Sequence, residues 1–536
     1  MSKNWITPFF EWWMILAFLV LNPAASVLGQ DIPRIWGDLQ SGPHEVGFKT
    51  LFEFDVSRPA IPYSGWHGRL VPTRETRGRQ MQINVWYPAD VRKGDKQVLF
   101  SHYLALMAQQ TEFGSLDDKM RKFADEQFIS KTNDLGGNGS FTIEKLKVLK
   151  DLKTNSYFNA EPVNEKFPLI VFPNGGSPAF QSTMCEFFAS HGFIVVAFAL
   201  KGQHAFTEEI SVRGIEVAVS DLSFAIGKVL EIPQVDKEKI CLIGNAITAS
   251  QSIAYQARNQ SVDCVVSLDG GFLSQFDHSL LRRTAFYSPQ DMNKPILAIY
   301  APHPSIDPEN ISHLKFSDRF FFHFPQMSEF HFLNFGVFER FVPGIIGQTK
   351  GDVQKGFEVA ALYCLRFFEA YLKEDRKSLQ FLRAKPPDTS VIDKHSFKEG
   401  LPSPPTTTEL KDSFIRTGFG SVEKVYAKLK ERNPTPFSKE FYNDFRDWLA
   451  WKKDPDFENR FKLYRLGTDS FPESATLNYY FAYYALKTGR KDVALEYNRK
   501  TLNLIDTDDS SELTPARKAE MKENILKDLK TLDVEP

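Results

Sequence analysis

The sequence predicts an α/β domain built on a mainly parallel sheet with helices on both faces, followed by an all-α domain. Between 167 and 300, short apolar runs alternate with amphipathic helices. Runs that stay apolar instead of alternating with polar residues belong to strands buried on both faces, as in a parallel sheet. A polar, proline-bearing segment around Lys385-Pro386-Pro387 and Pro402-Ser403-Pro404-Pro405 then reads as a linker, 385–408. From 409 to 536 the pattern is helical throughout and ends in a charged amphipathic stretch from Pro515 to Leu532.

The chain has 536 residues, enough for two or three domains. A hydrophobic content of 42% with 25% charged residues is ordinary globular composition and excludes extensive disorder. The net charge of -2 gives no electrostatic case for nucleic acid or anionic membranes as partners. Lys3 precedes an apolar run from Trp12 to Leu21, and small residues follow through Ala24-Ala25-Ser26 to Gly29. This is the layout of a signal peptide over 1–29, so the expectation is export to the periplasm or the extracellular space, with an uncleaved membrane anchor as the alternative. Cys185, Cys241, Cys264 and Cys364 lie inside expected helices and strands without metal-like spacing, so they read as core cysteines and not as disulfides or zinc ligands.

The α/β domain is expected over 30–384. Met81 to Tyr87 alternates like a strand and Pro88 ends it, while 98–160 reads as a largely helical insertion broken by Gly136-Gly137-Asn138-Gly139. The buried strands are Pro168 to Phe172, Phe193 to Phe198, Ile240 to Ile243, Cys264 to Leu268 and Ile296 to Tyr300, with a closing helix from about Val359 to Leu372. In the tail, Phe481, Ala482, Ala485, Gly489, Ala494 and Leu502 match the small-residue and turn pattern of a tetratricopeptide-like helix pair. The preceding block, about 441–474, has similar length but carries Trp448 and Arg460 at small positions.

The chemistry centres on Ile240 to Ser250, an apolar strand running through a tight turn into a helix. That is the setting of the nucleophile elbow G-x-S-x-G, which lifts a serine hydroxyl to the top of an α/β sheet. Here Gly244 holds the first glycine position, but Ala246 occupies the serine position and Thr248 the second glycine position. A methyl group cannot attack a carbonyl. The supporting groups are nonetheless in the expected chain order of nucleophile, acid and histidine. Asp269 follows the next strand in Ser267-Leu268-Asp269-Gly270-Gly271, and His331 lies in Ser328-Glu329-Phe330-His331. Upstream, the loop with Gly175 and Gly176 is positioned to offer backbone N–H groups, joined by the N–H of Ile247, as an oxyanion hole.

With those residues in view, the chain resembles the secreted bacterial relatives of platelet-activating-factor acetylhydrolase and dienelactone hydrolase, over about 45 to 383. The matching stretches are Val46-Gly47-Phe48 with Asp55 and Ser57-Arg58, Gln82 to Ala89, Ala189-Ser190-His191-Gly192-Phe193, and Ser267 to Gly270. The resemblance implies an α/β-hydrolase fold, hydrolysis of short acyl esters without metal or other cofactor, and Asp269 in preference to Asp307 as the acid. The departures cluster at one turn, where the family's G-H-S-x-G-G reads Gly244-Asn245-Ala246-Ile247-Thr248-Ala249.

Two functional classes follow. In the first, the chain is an exported pseudo-esterase that acts by binding. Its former acyl pocket takes an acyl-ester or lipid-like small molecule, and the repeat-like tail takes a protein or peptide. In the second, it is a working ester hydrolase that uses Thr248 or Ser250 as nucleophile, or a water activated by His331.

Overall fold

The computed structural model describes residues 35–533 apart from 61–62, 65–69, 72–76, 111–112, 175–176, 203–208, 286, 290–291, 453–455 and 511. The expected signal segment, 1–29, lies outside the described residues. Among the described residues no helix is long and apolar enough to cross a membrane.

The strands are β1 (Glu45–Asp55), β2 (Tyr63–Ser64), β3 (Leu70–Val71), β4 (Arg79–Asp90), β5 (Gln97–Leu99), β6 (Lys153–Phe158) and β7 (Glu161–Pro162). They continue with β8 (Phe167–Asn174), β9 (Ile194–Ala199), β10 (Val235–Asn245), β11 (Cys264–Leu268), β12 (Ile296–Tyr300), β13 (Arg319–His323) and β14 (Lys394–Lys398). All but β2 and β3 join one sheet in the order β14-β13-β12-β11-β10-β8-β9-β4-β1-β6-β5, with β7 beside β4. From β13 to β9 every pairing is parallel, and the β4 pairings to β9 and β1 are antiparallel.

The five apolar runs are the five central strands, and the two-sided burial explains their composition. On β8, Ile170 and Phe172 enter one core while Leu169 and Val171 enter the other. On β10, Cys241 and Ile243 divide from Ile240 and Leu242 in the same way. Successive side chains point to opposite faces of a strand, so burying both faces requires apolar residues at every position. One face is covered by helices that include Ser182–Ser190 and Val353–Leu372. The other is covered by Val212–Val229 and Ile247–Arg258.

Three sequence expectations need correction. Cys241 and Cys264 are not both free, because the β10–β11 register sets them opposite each other and they form a disulfide; Cys185 and Cys364 are free and buried as expected. The 98–160 insertion is not one helical block but β5, helices Phe100–Ala105, Asp118–Thr132 and Ile143–Lys150, and β6. Its break at Gly136 is steric as well as conformational: φ is +129°, and a Cβ would meet the Ile346 carbonyl oxygen at 2.4 Å. The 385–408 segment is only partly a connection. Val391 and Ile392 enter the α/β core, and β14 adds antiparallel to β13. Its proline content masked a strand whose exposed side chains give no apolar signal.

From Thr407 onward the chain is helical, and its two apolar clusters draw no residue from the α/β domain. Helices Lys439–Trp451, Phe457–Ser470, Ala475–Lys487 and Lys491–Leu504 follow one another through short turns, and Pro515–Asp533 ends the array.

The segment that enters the first strand is pinned by a buried carboxylate. Glu186, fully buried, accepts from Trp36 Nε1 at 2.8 Å, Tyr103 OH at 2.7 Å, Ser156 Oγ at 3.1 Å and the Asn155 N–H at 2.9 Å. Burial pushes its carboxyl up and these donors oppose the shift. Glu186→Leu strands all four donors, so we expect a loss on the order of 3 kcal/mol or more. Glu186→Gln should lose less, and denaturant midpoints of the two variants check the ranking.

Candidate functional site

Parallel strands deliver their C-terminal ends to one edge of the sheet, where catalytic groups gather in open α/β folds. Ala246 follows β10 at this edge, Asp269 follows β11, and the 328–333 turn comes after β13. Ala246 is the N-cap of helix Ile247–Arg258 with φ +49° and ψ -128°. This is a sharp strand-to-helix turn in a region that costs a non-glycine residue about 1–3 kcal/mol. The helix closes tightly under the strand, since a Cβ on Gly244 would lie 2.4 Å from the Ala249 nitrogen.

Two side chains hold this turn. The Thr248 hydroxyl accepts from the Asn245 N–H and donates to the Asn245 carbonyl, both at 2.8 Å. The Asn245 amide donates to the Leu268 carbonyl at 3.0 Å and the Glu329 carbonyl at 3.3 Å, tying the elbow to β11 and to the 328–333 turn. The Ala246 N–H donates to Leu268 as well, and its carbonyl accepts from Gly271. In the sequence Asn245 reads as a departure from the family's turn, and Thr248 as a departure and a candidate nucleophile, not as a clamp on the turn. A threonine three residues after the strand end, in range of the backbone it caps, was the available signal.

The elbow forms the floor of a cleft of about 320 Å³. Its walls are mostly apolar, with Leu135, Phe180, Phe330, Leu333 and Phe335, and charged groups at Lys131, Asp277 and Glu329. The Lys131 ammonium lies 4.6 Å from the Phe180 ring centroid.

The expected acid and base do not meet. Asp269, nearly buried, accepts from the Ala301 N–H at 2.9 Å, and burial pushes its carboxyl up to about 6. No hydrogen bond or ion pair joins it to His331 among the described residues. His331 Nδ1 instead accepts from the Ser328 N–H at 3.1 Å and lies 2.8 Å from the Ser328 hydroxyl, closing a capping box. Accepting a backbone N–H requires a bare Nδ1, so the neutral ring carries its proton on Nε2. Burial keeps the ring neutral, pulling its pKa down to about 4. A general base in a serine triad needs the opposite tautomer, with Nδ1–H held by the acid and Nε2 free to take a proton. The three-residue spacing from Ser328 to His331 is a capping signal visible in the sequence, where His331 reads as the histidine of the triad.

The substitute nucleophiles are also engaged or sealed. Thr248 spends its hydroxyl on the Asn245 backbone, and the Ser250 hydroxyl is buried without a partner and outside the cleft lining. Asp307, the alternative acid, caps a short turn by accepting from the Glu309 N–H. Gly175 and Gly176 lie outside the described residues. Ile247 is described at the first position of the elbow helix, and no acceptor for its N–H occurs among the described residues. No group of three or more His, Cys, Asp or Glu is arranged for a metal among the described residues.

A model of the family described as platelet-activating factor acetylhydrolase, isoform II, matches residues 129–212. No curated protein matches the chain. Among solved structures, the ferulic acid esterase from Streptomyces cinnamoneus is similar, with 18% identity, a TM-score of 0.46, and coverage of 66% of this chain and 96% of that one. The chain has an α/β-hydrolase-like fold. In this hydrolase-like domain the 129–212 match runs from the insertion through β8 and β9 and stops before the elbow.

Two measurements test the site's energetics. Ala246→Gly relieves the positive φ at the cost of a more flexible unfolded chain, and should stabilise by about 1 kcal/mol by thermal or denaturant unfolding. Asp269 holds a proton in the folded chain, between about pH 4 and 6, that the unfolded chain has released, so its contribution to stability falls as pH rises through that window. In Asp269→Asn the gain over wild type should therefore grow from pH 4 to 6 and level off above, reaching about 1–3 kcal/mol. A gain that does not vary with pH would count against a raised carboxyl.

Proposed function

We propose that this chain is an exported, catalytically inactive relative of ester hydrolases that acts by binding. The observation that carries the reading is Ala246 at the apex of an intact elbow, where the attacking hydroxyl belongs. A second fault supports it independently, because His331 has its Nδ1 occupied by the Ser328 N–H and cannot serve as the base. Loss of a triad serine alone removes about a million-fold of rate in a protease, and damage to a second member of such a unit adds little.

The cleft over Ala246 then takes an acyl-ester or lipid-like small molecule. Its apolar walls suit an acyl chain, and the Ile247 N–H is available to a carbonyl oxygen. The name of the family model that matches 129–212 favours an acyl ester over other apolar ligands. The helical region serves as the protein- or peptide-binding module. Its return helices begin at Phe457 and Lys491, a spacing of about 34 residues that suits a tetratricopeptide-like array. Lys3, the apolar run from Trp12 to Leu21 and the small residues through Ala24-Ala25-Ser26 to Gly29 support export.

A short-chain ester assay on the purified protein beside His331→Ala, Thr248→Val and Ala246→Ser tests this reading. We expect no turnover in wild type beyond the His331→Ala background, and Ala246→Ser alone to stay inactive because His331 presents a proton and not a lone pair. Wild-type turnover abolished by His331→Ala would overturn the inactive reading. Binding of unhydrolysed ester by calorimetry should be present in wild type and lost in Ala246→Phe, which fills the cleft floor.

A further inference from the structure

At the β5 edge of the sheet, strand register gathers polar side chains on one face. Along β6, Lys153, Asn155 and Tyr157 alternate with Thr154 and Ser156, which are buried. The parallel pair Val46 and Ser156 sets Glu45 beside Asn155, and the antiparallel pair Gln97 and Tyr157 brings in Gln97. All of these side chains line one pocket of about 360 Å³, against about 320 Å³ for the cleft over Ala246. β1 runs parallel to β9, since both are antiparallel to β4. The starts of β1 and β6 therefore put this pocket at the edge of the sheet opposite the elbow.

Hydrogen-bonding capacity is left over at this face. Gln97 spends its amide nitrogen on the Thr154 carbonyl at 2.6 Å, which leaves its own carbonyl as an acceptor. Neither end of the Asn155 amide has a partner among the described residues, and its nitrogen is buried. The Tyr157 hydroxyl is likewise unpartnered among them. Burial, with the Glu45 and Asp95 carboxylates nearby, pushes this phenol up, so it keeps its proton for donation. Glu45 and Lys153 are exposed at the rim and join no ion pair among the described residues. Their opposite charges offset each other and give no net pull on an ion. A ligand hydroxyl both gives and takes a hydrogen bond, so it suits amide, phenol and carbonyl groups alike. The volume is that of a small-molecule site.

We propose that this pocket binds a neutral sugar, with its hydroxyl groups on Gln97, Asn155 and Tyr157 and with Glu45 and Lys153 at the rim. The site is separate from the cleft and independent of whether an ester is bound or hydrolysed there.

Saturation-transfer NMR of the full chain with D-glucose, D-galactose and D-mannose tests this. Glycine serves as the zwitterion that Glu45 and Lys153 would take between them instead. We expect at least one hexose to bind with a millimolar Kd, and glycine not to bind. Tyr157→Phe should weaken hexose binding about fivefold, and Asn155→Leu about tenfold. Tyr157→Phe removes a single unpartnered oxygen, so it keeps the test valid if circular dichroism shows Asn155→Leu to be misfolded. The proposal is overturned by binding of none of the three hexoses, by equal hexose binding in Tyr157→Phe and wild type, or by binding of glycine alone.

Discussion

The strained turn at Ala246 is the constraint on which the rest of the site depends. A positive φ at an alanine persists only when its surroundings over-determine it. Here they do so from three sides. β11 accepts the Ala246 N–H and the Asn245 amide, Thr248 clamps the Asn245 backbone, and the 328–333 turn accepts from Asn245 as well. The glycine at 244 lets the helix close beneath, so the turn cannot relax without moving strand and helix together. Strain is usually kept where a group must be presented. This elbow presents a methyl and the N–H of Ile247.

Two features set the chemistry available at the turn. Its apex carries the methyl of Ala246, which cannot form a bond to a carbonyl, and Ser328 occupies Nδ1 of His331. Asp269 rests on the Ala301 N–H, and burial raises its carboxyl. Desolvation disfavours the charged carboxylate there, and the Ala301 N–H offsets only part of it. The retained cleft above this arrangement is apolar and open, which is what a binding site needs and a filled core lacks.

The connection between the two domains behaves in the same way as the elbow, with a segment that looks loose in sequence being held in three dimensions. Lys394–Lys398 is polar and mostly exposed, so nothing in its composition marks a strand. It becomes one because β13 offers an unpaired edge. The Gly400 N–H donates to Asp318 at 2.7 Å, and Lys315 reaches Thr435 at 2.9 Å, carrying the attachment into the helical region.

What the sequence by itself determined is the part governed by local pattern. The unbroken apolar runs gave the parallel sheet, because both faces of each strand are buried. The helical periodicity of the tail gave its class, and the Gly244 to Thr248 pattern located the tight strand-to-helix turn with Ala246 at its apex. What only the tertiary structure decided depends on partners distant in the chain. Sequence order placed Asp269 and His331 in the right succession, but not in contact. The tautomer of His331 follows from which group reaches Nδ1, and Ser328 reaches it by a local turn while Asp269 turns to Ala301. The Cys241–Cys264 pairing likewise follows from strand register, which no spacing of cysteines along the chain reveals. Local pattern fixes which elements form, whereas hydrogen-bond partners are fixed by how those elements meet.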